Sequence, residues 1–189
     1  FWPVNFHLIG KDILTTHSVY WPTMLMSAEL PLPKGIFAHG WWLSDQTKMS
    51  KSLGNVVDPL DLIDSYGVDP IRFYLMKEMV LGQDANFSMD SFIKCYNSDL
   101  ANDFGNLLSR VTNLINKFYD GALEPIFDDS TDGEDVKYAA LDSMELSKNF
   151  MNDMKINEAI NSIFNFVRKV NKYLEITAPW KLVKTDIKK

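Results

Sequence analysis

Phe92, Tyr96, Leu100, Phe104, Leu107, Val111, Leu114 and Phe118 recur at steps of three and four residues, which is about seven turns of one amphipathic helix. Ser88 stands where an N-cap belongs, since its hydroxyl can accept from an orphan amide of the first turn. A helix of that length must cover its apolar side, so the chain from residue 88 onward is expected to be a helical bundle. Two further helices fit. Val136 to Met154 carries a stripe of Val136, Ala140, Met144, Ser147 and Met151, and Ile156 to Leu174 turns Ile160, Ile163, Val167 and Val170 inward. The acidic stretch from Gly121 to Gly133 separates them from the first helix. With 189 residues, 46% of them apolar, there is material for one domain or two small ones.

Before residue 88 the pattern differs. His7-Leu8-Ile9-Gly10-Lys11-Asp12-Ile13 is a short apolar run closing on a glycine and a charged pair, as a buried parallel strand does where open α/β sheets hold ligands. A helix is predicted from Ile13 to Leu30, carrying Pro22 and ending at Pro31 and Pro33, and a second, aromatic strand from Ile36 to Leu43. Strand, helix and strand make a βαβ order. A polar turn from Ser44 to Thr47 then delivers the chain to Lys48-Met49-Ser50-Lys51-Ser52, followed by Leu53-Gly54-Asn55. Asp58-Pro59 and Asp69-Pro70 read as two helix starts with proline in the first turn, opening short amphipathic segments at Leu60 to Tyr66 and Ile71 to Met79. The fold class expected is mostly α, with an α/β portion at the start.

Two lysines and two hydroxyls within five residues are the groups a loop uses on a polyanion, the ammoniums as point charges and the hydroxyls as adjustable hydrogen bonds. Solvated loops also contain such runs. The net charge of −6 argues against nucleic-acid binding over the whole surface, yet the charge is uneven. Asp120 to Asp135 holds seven acids and no bases, whereas Lys155 to Lys189 holds eight bases and three acids. The basic end, which includes Arg168, Lys169 and Lys172, could follow a phosphate backbone, and a solvated helix face would look the same. A polar stripe at Asn102, Asn106, Arg110, Asn113 and Lys117 fits either a wetted surface or one that hydrogen-bonds base edges. Trp180, after the break at Ala178-Pro179 and flanked by Lys181 and Lys184, either packs or stacks an unpaired base.

Cys95 stands alone, so neither a disulfide framework nor a zinc site is expected, in keeping with a reducing cytoplasm. No apolar run approaches a membrane span. Phe1-Trp2-Pro3 reads like the middle of a domain, and the chain is expected to be a piece of a larger protein.

These residues carry a resemblance. The Lys48-to-Ser52 run with Leu53-Gly54-Asn55 and Asp58-Pro59 is similar to the KMSKS element of class I aminoacyl-tRNA synthetases, which the isoleucyl, valyl and leucyl enzymes share. The stretch from His7 to Asp12 through Ile13, His17 and Tyr20-Trp21-Pro22 resembles the methionyl-tRNA synthetase family more narrowly. So do Asn106-Leu107-Leu108-Ser109-Arg110, Asn171-Lys172-Tyr173 and Pro179-Trp180. The likeness covers nearly the whole chain, in order, and is to the C-terminal part of the bacterial type.

The resemblance implies residues 1–52 as the end of a Rossmann-type α/β catalytic domain, 53–87 as a small stem-contact segment and 88–189 as an anticodon-binding bundle. It implies methionine activation by ATP, with Mg2+, followed by transfer to tRNA(Met). Lys48 and Lys51 become catalytic cations on the ATP phosphates, within a nucleotide set of Gly10, Asp12, Lys48, Met49, Ser50, Lys51 and Ser52. Ile13 and His17 match positions lining the methionine side chain, although Thr16 stands where the family usually has an aromatic. Asn106, Arg110 and Trp180 match the anticodon readers. No metal ligands are implied. The family's His-x-Gly-His element is not matched, because His7-Leu8-Ile9-Gly10 lacks the second histidine and sits in the wrong place. The 189 residues are therefore expected to be inactive by themselves. A fragment of an isoleucyl- or valyl-type enzyme, a stand-alone tRNA-binding helical module and a helical protein-interaction domain are the alternatives.

Overall fold

The computed structural model describes residues 2–44, 46–50, 52, 54–123 and 133–182. The chain forms two compact units, one of residues 1–92 with 154–157 and the other of residues 93–153 with 158–189.

In the first unit, strands β1 (Phe6–Gly10) and β2 (Gly35–His39) pair in parallel, from Phe6 opposite Gly35 to Gly10 opposite His39. The crossover between them is helical but not uniform. It has a 3-10 turn at Lys11–Ile13, a π-helical turn at Thr16–Tyr20 and helix α1 (Trp21–Ser27). Pro22, which has no N–H to give to the preceding turn, follows directly on the π-helical stretch. Leu25 and Ile9 are buried.

The aromatic run expected as one strand is two. β2 ends at His39, and β3 (Trp42–Ser44) belongs to a second sheet of order β4-β3-β5, with β4 (Thr47–Lys48) antiparallel and β5 (Ala85–Phe87) parallel to β3. The break falls at Gly40, which is buried against the 83–84 peptide so closely that a Cβ would lie 1.9 Å from the Gln83 carbonyl oxygen. Only glycine allows that approach. The polar turn is the tip of a hairpin, and the first lysine of the loop sits on its second strand.

Helix α2 (Pro59–Tyr66) starts as read, with Asp58 Oδ1 accepting from the Leu60 N–H at 2.8 Å. Helix α3 (Val68–Glu78) begins before Asp69-Pro70, because Gly67, at φ +85°, both ends α2 and opens α3. Asp69 thus lies inside the first turn. The core is aromatic: Tyr74 is 1% exposed and meets Phe87 and Phe92 edge to face at 5.7 and 5.5 Å. Each such ring contributes about 1.5 to 3 kcal/mol on burial. The Tyr74 hydroxyl is satisfied by Ser91 Oγ.

Ser88 caps helix α4 (Met89–Cys95), its Oγ accepting from Ser91 N–H at 3.2 Å. The helical path then widens into a π-helical stretch, Tyr96–Gly105, before helix α5 (Asn106–Tyr119), where the Asn106 N–H bonds back to the Ala101 carbonyl. Each π turn takes about one residue more than an α turn, so the inward face drifts off the predicted stripe. Asp99 is 2% exposed and Phe104 is 49% exposed.

Helix α6 (Glu134–Asn152) keeps Val136, Ala140 and Ser147 of the predicted stripe half-buried, but Ser143 is buried in place of Met144, and Met144 and Met151 are exposed. Its Ser143 Oγ donates to the Ser162 carbonyl of helix α7 (Ile156–Thr177) at 3.1 Å. Within α7, Ala159, Phe164 and Val167 are buried, while Ile163, expected inward, is exposed. Ala178, at φ +44°, ends α7 before the short helix α8 (Pro179–Leu182).

Candidate functional site

In the first unit the candidate residues gather at the carboxyl ends of β1 and β2 and on the β3–β4 hairpin. Gly10 closes β1 opposite His39, and a Cβ on it would lie 2.5 Å from Asp12 Oδ1. Glycine therefore leaves room for the Asp12 carboxylate, which remains exposed. Open α/β sheets hold ligands outside such carboxyl ends of their strands.

Lys48 is paired with Leu43 on the hairpin and is exposed. Beyond it the loop is braced by Asn55, which the sequence reading left without a role. Asn55 Oδ1 accepts from the Ser50 N–H at 2.8 Å, and its Nδ2 donates to the Lys48 carbonyl at 3.2 Å. One amide thus joins both ends of Lys48-Met49-Ser50, and its position in Leu53-Gly54-Asn55 was the available signal. Ser50 Oγ and Ser52 Oγ share a hydrogen bond of 2.8 Å. Met49 is half-buried. Lys51 lies outside the described residues.

Asp84 is a second residue that sequence reasoning missed. It holds Lys11 through Oδ1 and Oδ2 at 2.6 and 2.8 Å, and Oδ1 accepts from the Trp41 N–H at 2.9 Å. Its carboxyl is held below the ordinary carboxylate range, first by the Lys11 hydrogen bond and then by the Trp41 amide. Trp41 in turn has both the Lys11 and the Lys48 ammonium near its ring, at 4.2 and 4.1 Å from the centroid.

Ile13 and His17 come together through one helical turn, His17 Nδ1 lying 3.0 Å from the Ile13 carbonyl. Ile13 is exposed and His17 half-buried. His7, on β1, stands 5.5 Å from the His17 ring, and its Nε2 is buried without a hydrogen-bond partner among the described residues. A polar group reaching this corner would find an unsatisfied nitrogen.

The second unit holds the remaining candidates. Asn106 opens α5 and is exposed, and Arg110 lies one turn on along the same face. Arg110 Nη1 is 3.6 Å from Glu175 Oε1 on α7. Trp180 is on α8, 39% exposed. Of the polar stripe, Asn113 bonds Ser109 within the helix, at 3.3 Å.

One part of the expected basic face is used internally. Arg168 Nη2 bonds Asp99 Oδ1 at 2.9 Å and its Nε bonds Asp103 Oδ2 at 2.7 Å. The carboxylates that take it came from the π-helical drift, which no 3.6-residue period reveals. Among the described residues no group of three His, Cys, Asp or Glu side chains is placed to hold a metal ion. No helix among them is long and apolar enough to cross a membrane.

Three comparisons bear on this geometry. The sequence profile of the family described as tRNA synthetases class I (M) matches residues 1–112. A methionine–tRNA ligase of Clostridium acetobutylicum is 47% identical over 189 residues, covering 100% of this chain and 29% of the relative. One of Rickettsia bellii is 43% identical over 192 residues, covering 100% of this chain and 38% of the relative. The crystal structure of Mycobacterium tuberculosis methionyl-tRNA synthetase bound by methionyl-adenylate superposes with a TM-score of 0.91 at 37% identity, over 98% of this chain and 36% of that one. The chain thus spans well under half the length of the relatives it matches.

Proposed function

Because the chain belongs to the class I methionyl-tRNA synthetase family, we propose that it supplies the KMSKS side of the ATP site and the anticodon-reading bundle of a methionine–tRNA ligase. The observation that carries this is the likeness of 98% of the chain, at a TM-score of 0.91, to a synthetase bound by methionyl-adenylate. The matches named as methionine enzymes leave the isoleucyl and valyl alternatives without support. A stand-alone tRNA-binding module is likewise disfavoured, since the family profile covers the α/β part.

In this reading, residues 1–52 complete a Rossmann-type catalytic domain, 53–87 touch the tRNA stem and 88–189 read the anticodon. The carboxylate of methionine attacks the α-phosphorus of ATP, the bond to the β-phosphate oxygen breaks, and pyrophosphate leaves. Charge grows on that leaving group, so cations placed there stabilise the transition state more than the ground state. Lys48 and Lys51 are those cations, and Ser50 and Ser52 add hydrogen bonds to phosphate oxygens. Mg2+ accompanying ATP would partly neutralise the phosphates; among the described residues no group of three His, Cys, Asp or Glu side chains is placed to hold it.

Asp12, exposed over Gly10, accepts from the ribose hydroxyls. Ile13 and His17 line the methionine side chain, beside the unsatisfied His7 Nε2. Asn106 and Arg110, one turn apart on α5, hydrogen-bond base edges, and Trp180 stacks a base. The second step passes the methionyl group to the terminal ribose of tRNA(Met). A cytoplasmic location suits such an enzyme.

Methionine-dependent ATP–pyrophosphate exchange tests the reading. In the full-length protein, Lys51→Ala should lower exchange about a hundredfold to a thousandfold, the usual loss for one transition-state contact; an unchanged rate would sink the assignment. The 189 residues alone should give no exchange, since they carry no His-x-Gly-His element.

A further inference from the structure

Trp41 is the one residue that both cations of the first unit's candidate site approach among the described contacts. The Lys11 ammonium lies 4.2 Å, and the Lys48 ammonium 4.1 Å, from the indole centroid. The main chain holds the ring in place. The Trp41 N–H donates to Asp84 Oδ1 at 2.9 Å, and its carbonyl accepts from the Ala85 N–H at 2.9 Å. Gly40, just before it, is pressed onto the Gln83 carbonyl. Neither the backbone nor the base of the side chain can move without breaking the join of β3 to β5.

The two cations are not equivalent. Asp84 offsets the charge of Lys11 through contacts of 2.6 and 2.8 Å, so Lys11 is fixed between its carboxylate and the ring. Lys48 is exposed and heads the loop braced by Asn55. A lysine in that position has a large rotamer freedom, and an aromatic face restricts it by electrostatic attraction without offering a competing anion.

We propose that Trp41 is a positioning residue for the Lys48 ammonium, a cation–π seat that holds it at the head of the loop until a phosphate takes it, with Asp84 and Lys11 fixing the ring. This rests on the reading above, in which Lys48 serves the ATP phosphates. The seat is weak enough to be left: attraction of this kind at an exposed site is worth about two- to fivefold in population, less than a charge-assisted bond to phosphate. Because Lys11 lies between Gly10 and Asp12, the same indole ties the loop after β1 to the loop after β4.

The test is the reactivity of the Lys48 amine in the full-length protein. Acetylation by N-hydroxysuccinimidyl acetate is followed by mass spectrometry, with the exposed Lys34 as internal reference. Trp41→Leu should raise the Lys48-to-Lys34 rate ratio about two- to fivefold and Trp41→Phe by less, since phenyl keeps a weaker π face. An unchanged ratio in Trp41→Leu overturns the proposal. Should that variant not fold, Trp41→Phe decides by the same criterion. In exchange assays Trp41→Leu should raise KM for ATP and leave KM for methionine; equal changes in both would mark the ring as packing alone and overturn it. Lys48→Ala with undiminished exchange would instead overturn the phosphate reading, whatever the acetylation ratio.

Discussion

Arg168 and Asp99 form a hydrogen-bonded ion pair, Nη2 to Oδ1 at 2.9 Å, in which the carboxylate side chain is 3% exposed and the guanidinium 45%. The same guanidinium reaches Asp103 through Nε at 2.7 Å, four residues on along the π-helical stretch. Cys95 Sγ at 3.4 Å and Ser98 Oγ at 3.4 Å also approach Asp99. A carboxylate taken so far from water depends on its cation, and removing one partner leaves the other uncompensated. Arg168→Met should therefore loosen the 96–105 stretch by about 1.5 to 3 kcal/mol, the figure for a hydrogen bond to a charged group, below that for a fully buried pair because Arg168 is half in solvent. Amide hydrogen exchange across 96–105, with 134–152 as reference, measures it. Equal protection in variant and wild type would contradict the role given to the pair.

The π-helical stretch marks where sequence reading stopped working, and the reason is geometric. Ser88 as a cap, Asp58-Pro59 as a start and a long helical path after residue 88 were legible, because each is a local preference. A period of 3.6 residues carried across Tyr96–Gly105 placed Phe104 inward and overlooked Asp99, and only the wider turn corrects both. β5 is three residues long, too short to show a period of two. In the candidate site, the run from Lys48 to Ser52 was visible because its chemistry is contiguous. Trp41 and Asp84 were not, since they meet across 43 residues through the close approach at Gly40.

Asn55 provides a prediction on the loop. Its side chain bonds the Ser50 N–H and the Lys48 carbonyl, so Asn55→Ala leaves two backbone groups to water and the loop without its brace. Two neutral hydrogen bonds at a partly exposed site contribute about 1 to 2 kcal/mol, which corresponds to a five- to thirtyfold rise in KM for ATP if the loop must be ordered to bind. Asn55→Asp, which can still accept from Ser50 but cannot donate to Lys48, should fall between. Pyrophosphate exchange at varied ATP decides, and identical KM values for Ala and wild type would rule the brace out.

Asp84 provides a pH dependence with a definite sign. Its carboxyl lies below the ordinary range because Lys11 and the Trp41 N–H favour the charged form. The unfolded chain therefore takes up the proton first as pH falls. The contribution of Asp84 to stability is fully present above the unfolded value of about 4 and is lost as pH drops through the lower folded value. Wild type should thus be more stable than Asp84→Asn at pH 6, with the two melting temperatures converging toward pH 3. The gap should also shrink in high salt, because both partners are about one-third exposed. A gap that is constant from pH 6 to pH 3 would assign Asp84 a purely steric role.

Arg110 and Trp180 separate two kinds of contact on the proposed anticodon surface. Trp180 is 39% exposed on a four-residue helix held by the turn at Ala178, so Trp180→Ala removes the exposed stacking face together with the packing of the covered part of the ring. Stacking is worth about 1 to 3 kcal/mol per base, and binding of tRNA(Met) should weaken by roughly five- to a hundredfold with an unchanged dependence on salt. Arg110 lies 3.6 Å from Glu175, whose side chain is 64% exposed. That pair is loose enough for a base or phosphate to displace the carboxylate, and the pair itself adds little stability. Arg110→Ala should weaken binding and, where the guanidinium meets a base edge, also narrow the preference for the methionine anticodon over another. Glu175→Gln, which relieves competition for Arg110, should tighten binding slightly at low salt. Filter binding of tRNA(Met) and of an anticodon-swapped tRNA over a salt series reads all three. Unchanged affinity in both Trp180→Ala and Arg110→Ala would leave this face as the solvated surface of a helical bundle.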